Sequence, residues 1–225
     1  SSPQLLSALS NPSANAAGTA ALVDTVFSEL GASARDLLQT MVASRWSSGD
    51  DLLAGIEEIG IRAIAASAPA EGVIEAELFE FGRAVTSHPE LELAIGSKRG
   101  TAASKLALVT DLLGVRASAQ SRAIAGHLVQ QPRGRRIGEL VRTAAATAAD
   151  TAGKGIATVT VAAPLSAAQL TGVAATIAAR YGRGHVINQI IDPALVGGVR
   201  VQVGDEVTDG SIAARLTDLK LQLAG

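Results

Sequence analysis

The feature that most constrains the fold is a change in hydrophobic period near residue 153. From Leu5 to about Ala152 the apolar residues recur every three or four positions, the spacing of amphipathic helices. After Gly153-Lys154-Gly155 the residues from Ile156 to Ala163 alternate instead, which is typical of a β-strand. One segment cannot follow both periods. The sequence therefore predicts a two-domain α+β protein, with an N-terminal all-helical bundle and a small C-terminal α/β module.

Start and stop residues divide the helical part into short helices. His88-Pro89 predicts a cap and a first helical proline, opening a helix that ends near Gly96. Alanine and leucine dominate the 48% of hydrophobic residues, and alanine has the highest helix propensity. We predict a helical extension over 1–56, a bundle over 57–152, a hinge at 153–155 and the α/β module over 156–225.

A weak internal repeat runs through the helical part at an offset of 86 residues. Ala21-Leu22-Val23 recurs as Ala107-Leu108-Val109. Apolar residues also match at this offset in the pairs Leu9/Ile95, Phe27/Leu113, Leu38/Ile124 and Val42/Leu128. Two interpretations stay open: a chance match between amphipathic helices, or a duplicated half-bundle.

The C-terminal module is predicted to have the order β-α-β-β-α. After the first strand, Ser166 and Gln169 have the spacing of a capping box, and Gly182 provides a helix stop. Strands are predicted over 186–191 and 199–203, followed by a last helix that begins at Ser211.

Residues that carry chemistry are scarce. Gly153-Lys154-Gly155 lacks the earlier glycine and the following Ser or Thr of a phosphate-binding loop. His88, His127 and His185 have no metal-ligand spacing, and the chain contains no cysteine. We therefore expect no catalytic residue, no cofactor and no metal site.

Two groups of charged and aromatic residues are candidate docking sites for partner proteins. One is basic and consists of Arg133, Arg135 and Arg136. The other lies on the predicted helix over 73–85 and consists of Glu75, Glu77, Phe79 and Phe81. Patches of opposite charge suit pairing with partner helices. An alternative is an adaptor or nucleic-acid-associated protein that uses the Arg133 to Arg142 cluster, although the net charge of −2 and the 2% of aromatic residues oppose it.

The segment from Ile190 to Ser211 carries a distinctive motif. Its elements are Asp192-Pro193, Gly197-Gly198, Gly204-Asp205, Asp209-Gly210-Ser211 and, just beyond, Arg215-Leu216. This pattern resembles the C-terminal signature of the delta subunit of F-type rotary ATP synthases, a relative of mitochondrial oligomycin-sensitivity-conferring protein. Farther upstream, the segments at 45–47, 78–83 and 132–135 resemble the actinobacterial branch, in which the helical region is longer and is sometimes fused behind a stalk subunit.

The resemblance implies a stator connector without catalytic residues. The bundle would grip the N-terminal segments of the alpha subunits, and the module would bind the b-type stalk, so that the catalytic head resists rotor torque. It implies no nucleic acid and no small-molecule substrate, and a place on the cytoplasmic face of the plasma membrane through the complex alone. Shorter family members open the first bundle helix with Tyr-Ala, where this chain has Arg62-Ala63. The assignment of individual helices to the family bundle therefore stays open.

Overall fold

A computed structural model of the chain describes residues 2–11, 13–68, 72–97 and 100–211. Within these ranges the helices are α1 (Pro3–Leu9), α2 (Ala16–Val26), α3 (Ala32–Ala43), α4 (Gly49–Ala66), α5 (Val73–Thr86), α6 (Pro89–Gly96), α7 (Ala102–Leu113), α8 (Ala119–Gln130), α9 (Ile137–Thr151) and α10 (Ala167–Tyr181). The strands are β1 (Gly155–Val161), β2 (His185–Ile191), β3 (Val199–Val203) and β4 (Glu206–Asp209). The predicted α+β fold class is confirmed.

Local capping explains where several helices begin and end. In α6 the first helical residue is Pro89. Proline lacks an N–H, but the N–H at this position has no hydrogen-bond partner within a helix, so nothing is lost. The capping box predicted for α10 is present, since Ser166 Oγ accepts from the Gln169 N–H and Gln169 Oε1 accepts from the Ser166 N–H. Gly182 ends α10 at φ 71°, a conformation that favours glycine.

The chain divides into two compact units, Ser1–Ile61 and Arg62–Gly225. The first unit has its own apolar core, formed by Leu9, Val23, Met41, Val42 and Leu52. Trp46 packs against this core, and its Nε1–H donates to the Met41 carbonyl oxygen at 2.6 Å.

In the second unit, α5 and α9 lie against each other. The buried apolar residues of α5 are Ile74, Leu78, Phe81 and Val85. Helix α9 buries one face that is rich in alanine, with Leu140, Val141, Ala144, Ala145, Ala148 and Ala149. Gly138 allows the close approach, because a Cβ there would lie 2.4 Å from Thr86 Cγ2. Since Thr86 ends α5 and Gly138 begins α9, the two helices run antiparallel.

The helices before and after α5 recur at nearly constant offsets. Helices α1 and α6 each begin with a proline, and α2 and α7 begin 86 residues apart. The offset is 87 residues between α3 and α8, and 88 between α4 and α9. The pairs Leu9/Ile95 and Val23/Val109 are buried in both copies. The duplicated half-bundle stays a prediction, with which these positions agree.

The four strands form one mixed sheet in the order β2-β1-β3-β4. Strands β1 and β2 are parallel and are joined by α10, whereas β3 is antiparallel to both β1 and β4. The core of the module contains Ala157, Val159, Val161 and Ile177, flanked by valines of β3. The sheet thus buries one face against α10.

Strand β4 was not predicted. It has only four residues, all exposed, so its sequence carries no alternation of buried and exposed positions. The helix predicted to begin at Ser211 lies outside the described residues. Among the residues described, no helix is both long and apolar enough to span a bilayer.

Candidate functional site

The residues of the C-terminal motif build turns. Asp192 Oδ1 accepts from the Ala194 N–H at 2.9 Å, in the turn that follows β2. Gly198 has φ 82°, and a Cβ there would lie 2.5 Å from the Gly210 carbonyl oxygen. Glycine is therefore required where the start of β3 passes the residue that follows β4.

The second half of the motif closes the β3–β4 hairpin. Gly204 turns the chain at φ 59° beside Asp205. Asp209 Oδ1 accepts from the Ser211 N–H at 2.9 Å, and hydrogen bonds from Ser211 hold the pKa of Asp209 below its ordinary value. Arg215 and Leu216 lie outside the described residues. The described part of the motif stabilises backbone turns and presents no reactive group.

The acidic and aromatic docking candidates on α5 do not share one surface. Glu75 and Phe81 are only 4% and 1% exposed. Phe79 is half-buried. Phe81 thus belongs to the core, which leaves its side chain almost no surface for a partner.

Glu77 joins α5 to the start of α8. Its carboxylate accepts from the Ser118 N–H at 3.0 Å and from the Ser118 hydroxyl at 2.6 Å. Burial acts to raise the pKa of Glu77, but hydrogen bonds from Ser118 and Ser121 and the charge of Arg122 outweigh burial and lower it. Glu77 therefore has an intramolecular role as part of the α8 cap.

The basic candidates Arg133, Arg135 and Arg136 are exposed in the turn before α9. Arg133 has φ 48°, the single positive φ of a non-glycine residue in the part of the chain described, and Gly134 follows at 79°. Such a conformation is uncommon for arginine and carries strain. The arginine turn lies at the N-terminal end of α9, a helix of 15 residues, whereas Glu75 lies near Ala148 towards the other end. At 1.5 Å per residue, the start of the helix and Ala148 are roughly 18 Å apart.

An ion-pair cluster that sequence reasoning missed joins the helices to the α/β module. Asp150 Oδ2 accepts from Arg62 Nη1 at 3.0 Å, and Asp150 Oδ1 accepts from Arg183 Nη1 at 3.2 Å. The hydrogen bond from Arg62, followed by that from Arg183, lowers the pKa of Asp150. No local pattern identifies the cluster, because its members lie 88 and 33 residues apart in sequence.

Two concave sites occur on the second unit. A groove of about 330 Å³ lies along α7 and α8, lined by Leu106, Arg122, Ala123, Gly126, His127, Gln130 and Gln131. A pocket of about 260 Å³ lies where the ends of α4 and α9 meet the start of α5. No group of three or more His, Cys, Asp or Glu residues that could hold a metal ion occurs within the described ranges.

Turns, helix caps and grooves lined by small residues are the features that the described part of the chain presents. A family model described as ATP synthase delta (OSCP) subunit matches residues 62–223. The ATP synthase subunit delta of Leifsonia xyli subsp. xyli is 50% identical over 224 residues, covering 100% of this chain and 85% of that protein. The chain belongs to the ATP synthase delta (OSCP) subunit family, as its C-terminal motif predicted.

Other similar proteins are also ATP synthase delta subunits. The Streptomyces avermitilis protein is 40% identical, covering 96% of this chain and 81% of its own length. The Arthrobacter sp. (strain FB24) protein is 36% identical, covering 100% and 86%. A chain in the cryo-EM structure of the Toxoplasma gondii mitochondrial ATP synthase hexamer matches 77% of this chain with 19% identity and a TM-score of 0.43.

Family membership confirms that the chain is a structural, non-catalytic subunit of an F-type ATP synthase. The match to the family model starts at residue 62, where the second compact unit also starts. The first unit lies outside that match, but the Leifsonia and Arthrobacter relatives align over the whole chain. These relatives therefore also align with the first unit.

Proposed function

We propose that the chain is the stator connector between the alpha subunits of the catalytic head and the b-type peripheral stalk. The match of residues 62–223 to the ATP synthase delta (OSCP) family carries this proposal. The helical part binds the N-terminal segments of alpha, and the α/β module binds the stalk. The chain would then reach the cytoplasmic face of the plasma membrane only as part of the complex.

The groove along α7 and α8 supports the assignment of alpha to the helical part. Gly126 and Ala123 keep the groove shallow, and Leu106 is 39% exposed beside them. An amphipathic helix that lays its apolar face into such a groove would bury Leu106. We assign the alpha N-terminal segment to this groove.

The α/β module offers apolar surface to the stalk. Val196 and Val207 are 64% and 48% exposed, and both lie in the part of the module that contains the family motif. Exposed apolar residues grouped in one small module favour contact with another protein. The arginines at 133, 135 and 136 and Phe79 remain docking candidates for acidic and apolar partner residues.

A binding experiment with two matched variants tests the proposal. A labelled alpha N-terminal peptide should bind the purified chain, and Leu106→Asp should abolish binding because a carboxylate would enter the groove. Leu93→Asp is the control, since Leu93 is 75% exposed on α6 and lies outside the groove. The purified chain should hydrolyse no ATP. Failure to bind any peptide from the head or the stalk would overturn the proposal.

The exposed arginine turn favours one alternative, an adaptor that binds nucleic acid. Such binding would depend on phosphate contacts and would weaken steeply with salt. Absence of duplex binding at low salt would remove this alternative.

A further inference from the structure

The pocket at the ends of α4 and α9 combines small residues with one buried carboxylate. It is lined by Ala65, Ala66, Ala68, Gly72, Ile74, Glu75, Ala148, Thr151 and Ala152. Apart from Glu75 and the Thr151 hydroxyl, the lining side chains are apolar or absent. The Thr151 hydroxyl already donates to the Thr147 carbonyl oxygen at 2.8 Å. Glu75 is therefore the one charged side chain in the lining described.

Glu75 is buried without a partner. It is 4% exposed, and among the described residues it makes no hydrogen bond and no ion pair. Glu75 is the third residue of α5, a position from which a glutamate side chain often accepts a hydrogen bond from the N–H of the cap residue. The cap residue here is Gly72, and its N–H makes no such bond to Glu75. A buried carboxylate is costly unless it is paired. The pocket thus presents a carboxylate to which no described residue donates a hydrogen bond.

Two of the three helices around the pocket, α4 and α9, also favour a cation, whereas the start of α5 favours the Glu75 carboxylate. Helices α4 and α9 end at Ala66 and Thr151, so the pocket lies at the C-terminal ends of both. The C-terminal end of a helix carries partial negative charge and stabilises a nearby cation. The neighbouring basic residues Arg62 and Arg183 are bound to Asp150.

We propose that this pocket binds the side chain of a lysine in a partner polypeptide. The ammonium group would bind the Glu75 carboxylate, and its aliphatic chain would pack on the alanine methyl groups. A volume of about 260 Å³ equals that of about nine water molecules in the liquid, which is room for a lysine side chain. The lysine ammonium group is a compact charge on a flexible aliphatic chain, which suits a narrow pocket with methyl groups on its walls and one carboxylate.

This inference does not depend on the stator role, because the pocket is distinct from the α7–α8 groove and can be tested on the purified chain alone. The probes are a capped Ala-Lys-Ala peptide, the same peptide with norleucine in place of lysine, and n-butylammonium. Binding is measured from changes in the amide NMR shifts of Ala65, Ala148 and Thr151. The lysine peptide should bind about tenfold more tightly than the norleucine peptide, the effect of one charged hydrogen bond.

Two variants and one control complete the test. Glu75→Gln removes the charge without changing the size of the side chain, and it should abolish the preference for lysine. Ala66→Leu, at an exposed position, should block the pocket while leaving Glu75 in place. Glu80→Gln is the control, because Glu80 is exposed on the same helix and pairs with Arg83.

Equal binding of the lysine and norleucine peptides would overturn the proposal, and so would unchanged lysine binding in Glu75→Gln or Ala66→Leu. Tighter binding of n-butylammonium than of the lysine peptide would overturn the assignment to a polypeptide. None of these outcomes bears on binding to the alpha peptide, which Leu106→Asp tests separately.

Discussion

The helices of residues 3–66 and those of residues 89–151 begin at similar spacings along the chain, but different residues fill their cores. The first segment, α1–α4, places Trp46 from the α3–α4 connection over Gly55, where an added Cβ would lie 2.3 Å from the indole ring. The second segment, α6–α9, packs against a whole extra helix, α5, which buries five of its residues. The core of the first segment thus includes a side chain from a helix connection, whereas the second segment packs against an additional helix.

The two segments also differ in what the rest of the chain adds to them. The core of the first segment lies within one compact unit. The second segment depends on α5, and α5 also supplies Glu75 to the pocket and Glu77 to the α8 cap. The family match accordingly covers the second segment together with the α/β module.

The largest expected effect tests whether α5 is central to the second segment. Phe81→Ala should lower the free energy of unfolding by about 3–5 kcal/mol, because a large buried side chain leaves a cavity. Phe79→Ala, on the same helix but half-buried, should cost clearly less. Urea denaturation followed by circular dichroism measures both. Equal losses would contradict the central position of α5.

A glycine in the first segment tests the role of Trp46. Gly55→Ala should destabilise by about 2 kcal/mol, because its Cβ would force the indole ring to move. Gly60→Ala on the same helix meets no atom within 4 Å and should stabilise by about 0.5–1 kcal/mol through helix propensity. Thermal denaturation compares the two variants. A stabilising Gly55→Ala would show that Trp46 does not close this core.

Glu77 gives the cap of α8 a pH dependence that the cap of α3 lacks. The cap residue of α3 is Gly31, which has no side-chain hydrogen bond, whereas the cap of α8 is bound by Glu77. Glu77→Gln should cost about 1.5 kcal/mol at neutral pH, the low end for a charged hydrogen bond, because the carboxylate is partly solvated. Glu29→Gln, exposed in the first segment, should cost less than about 0.5 kcal/mol.

The sign of the pH effect follows from the lowered pKa of Glu77. Its contribution is complete above the ordinary value of 4.5 and is lost as the pH falls through the lower native value. The difference in stability between the wild type and Glu77→Gln should therefore shrink in acid. A difference that stays constant from pH 7 to well below 4.5 would show that the hydrogen bonds do not depend on the charge.

The smallest expected effect tests the similarity of the two segments. Asn15 caps α2 by accepting from the Ala17 N–H at 3.0 Å, and Thr101 caps α7 by accepting from the Ser104 N–H at 3.1 Å. Asn15→Ala and Thr101→Ala should each cost about 1 kcal/mol. Hydrogen exchange at the first turn of each helix locates the loss. A large loss of stability in only one of the two variants would show that the caps of α2 and α7 are not equivalent.

Elements with local signals could be predicted from the sequence. Pro89 and the Ser166/Gln169 pair identified helix starts because capping depends on residues within one turn. The C-terminal motif identified the family because its glycines and aspartates fix turns at set positions. By contrast, β4 was missed because four exposed residues carry no periodicity.

Features that depend on distant residues could not be predicted. The acidic and aromatic residues of α5 were predicted to form a docking site, but packing buries Glu75 and directs Glu77 to Ser118. The cluster around Asp150 joins three elements that are far apart in sequence. Which residues face a neighbour depends on tertiary packing, and a single sequence does not contain that information in local form.

The short connection between α9 and β1 limits how far the helices and the sheet can ever separate. Only Ala152, Gly153 and Lys154 lie between Thr151 and Gly155. Even fully extended, this connection allows about 14 Å between the Cα atoms of Thr151 and Gly155. If force or heat broke every contact between the two parts, each would remain at a millimolar or higher effective concentration near the other. Loss of the contacts between the helices and the sheet would therefore be brief and reversible, and the covalent chain would keep its length.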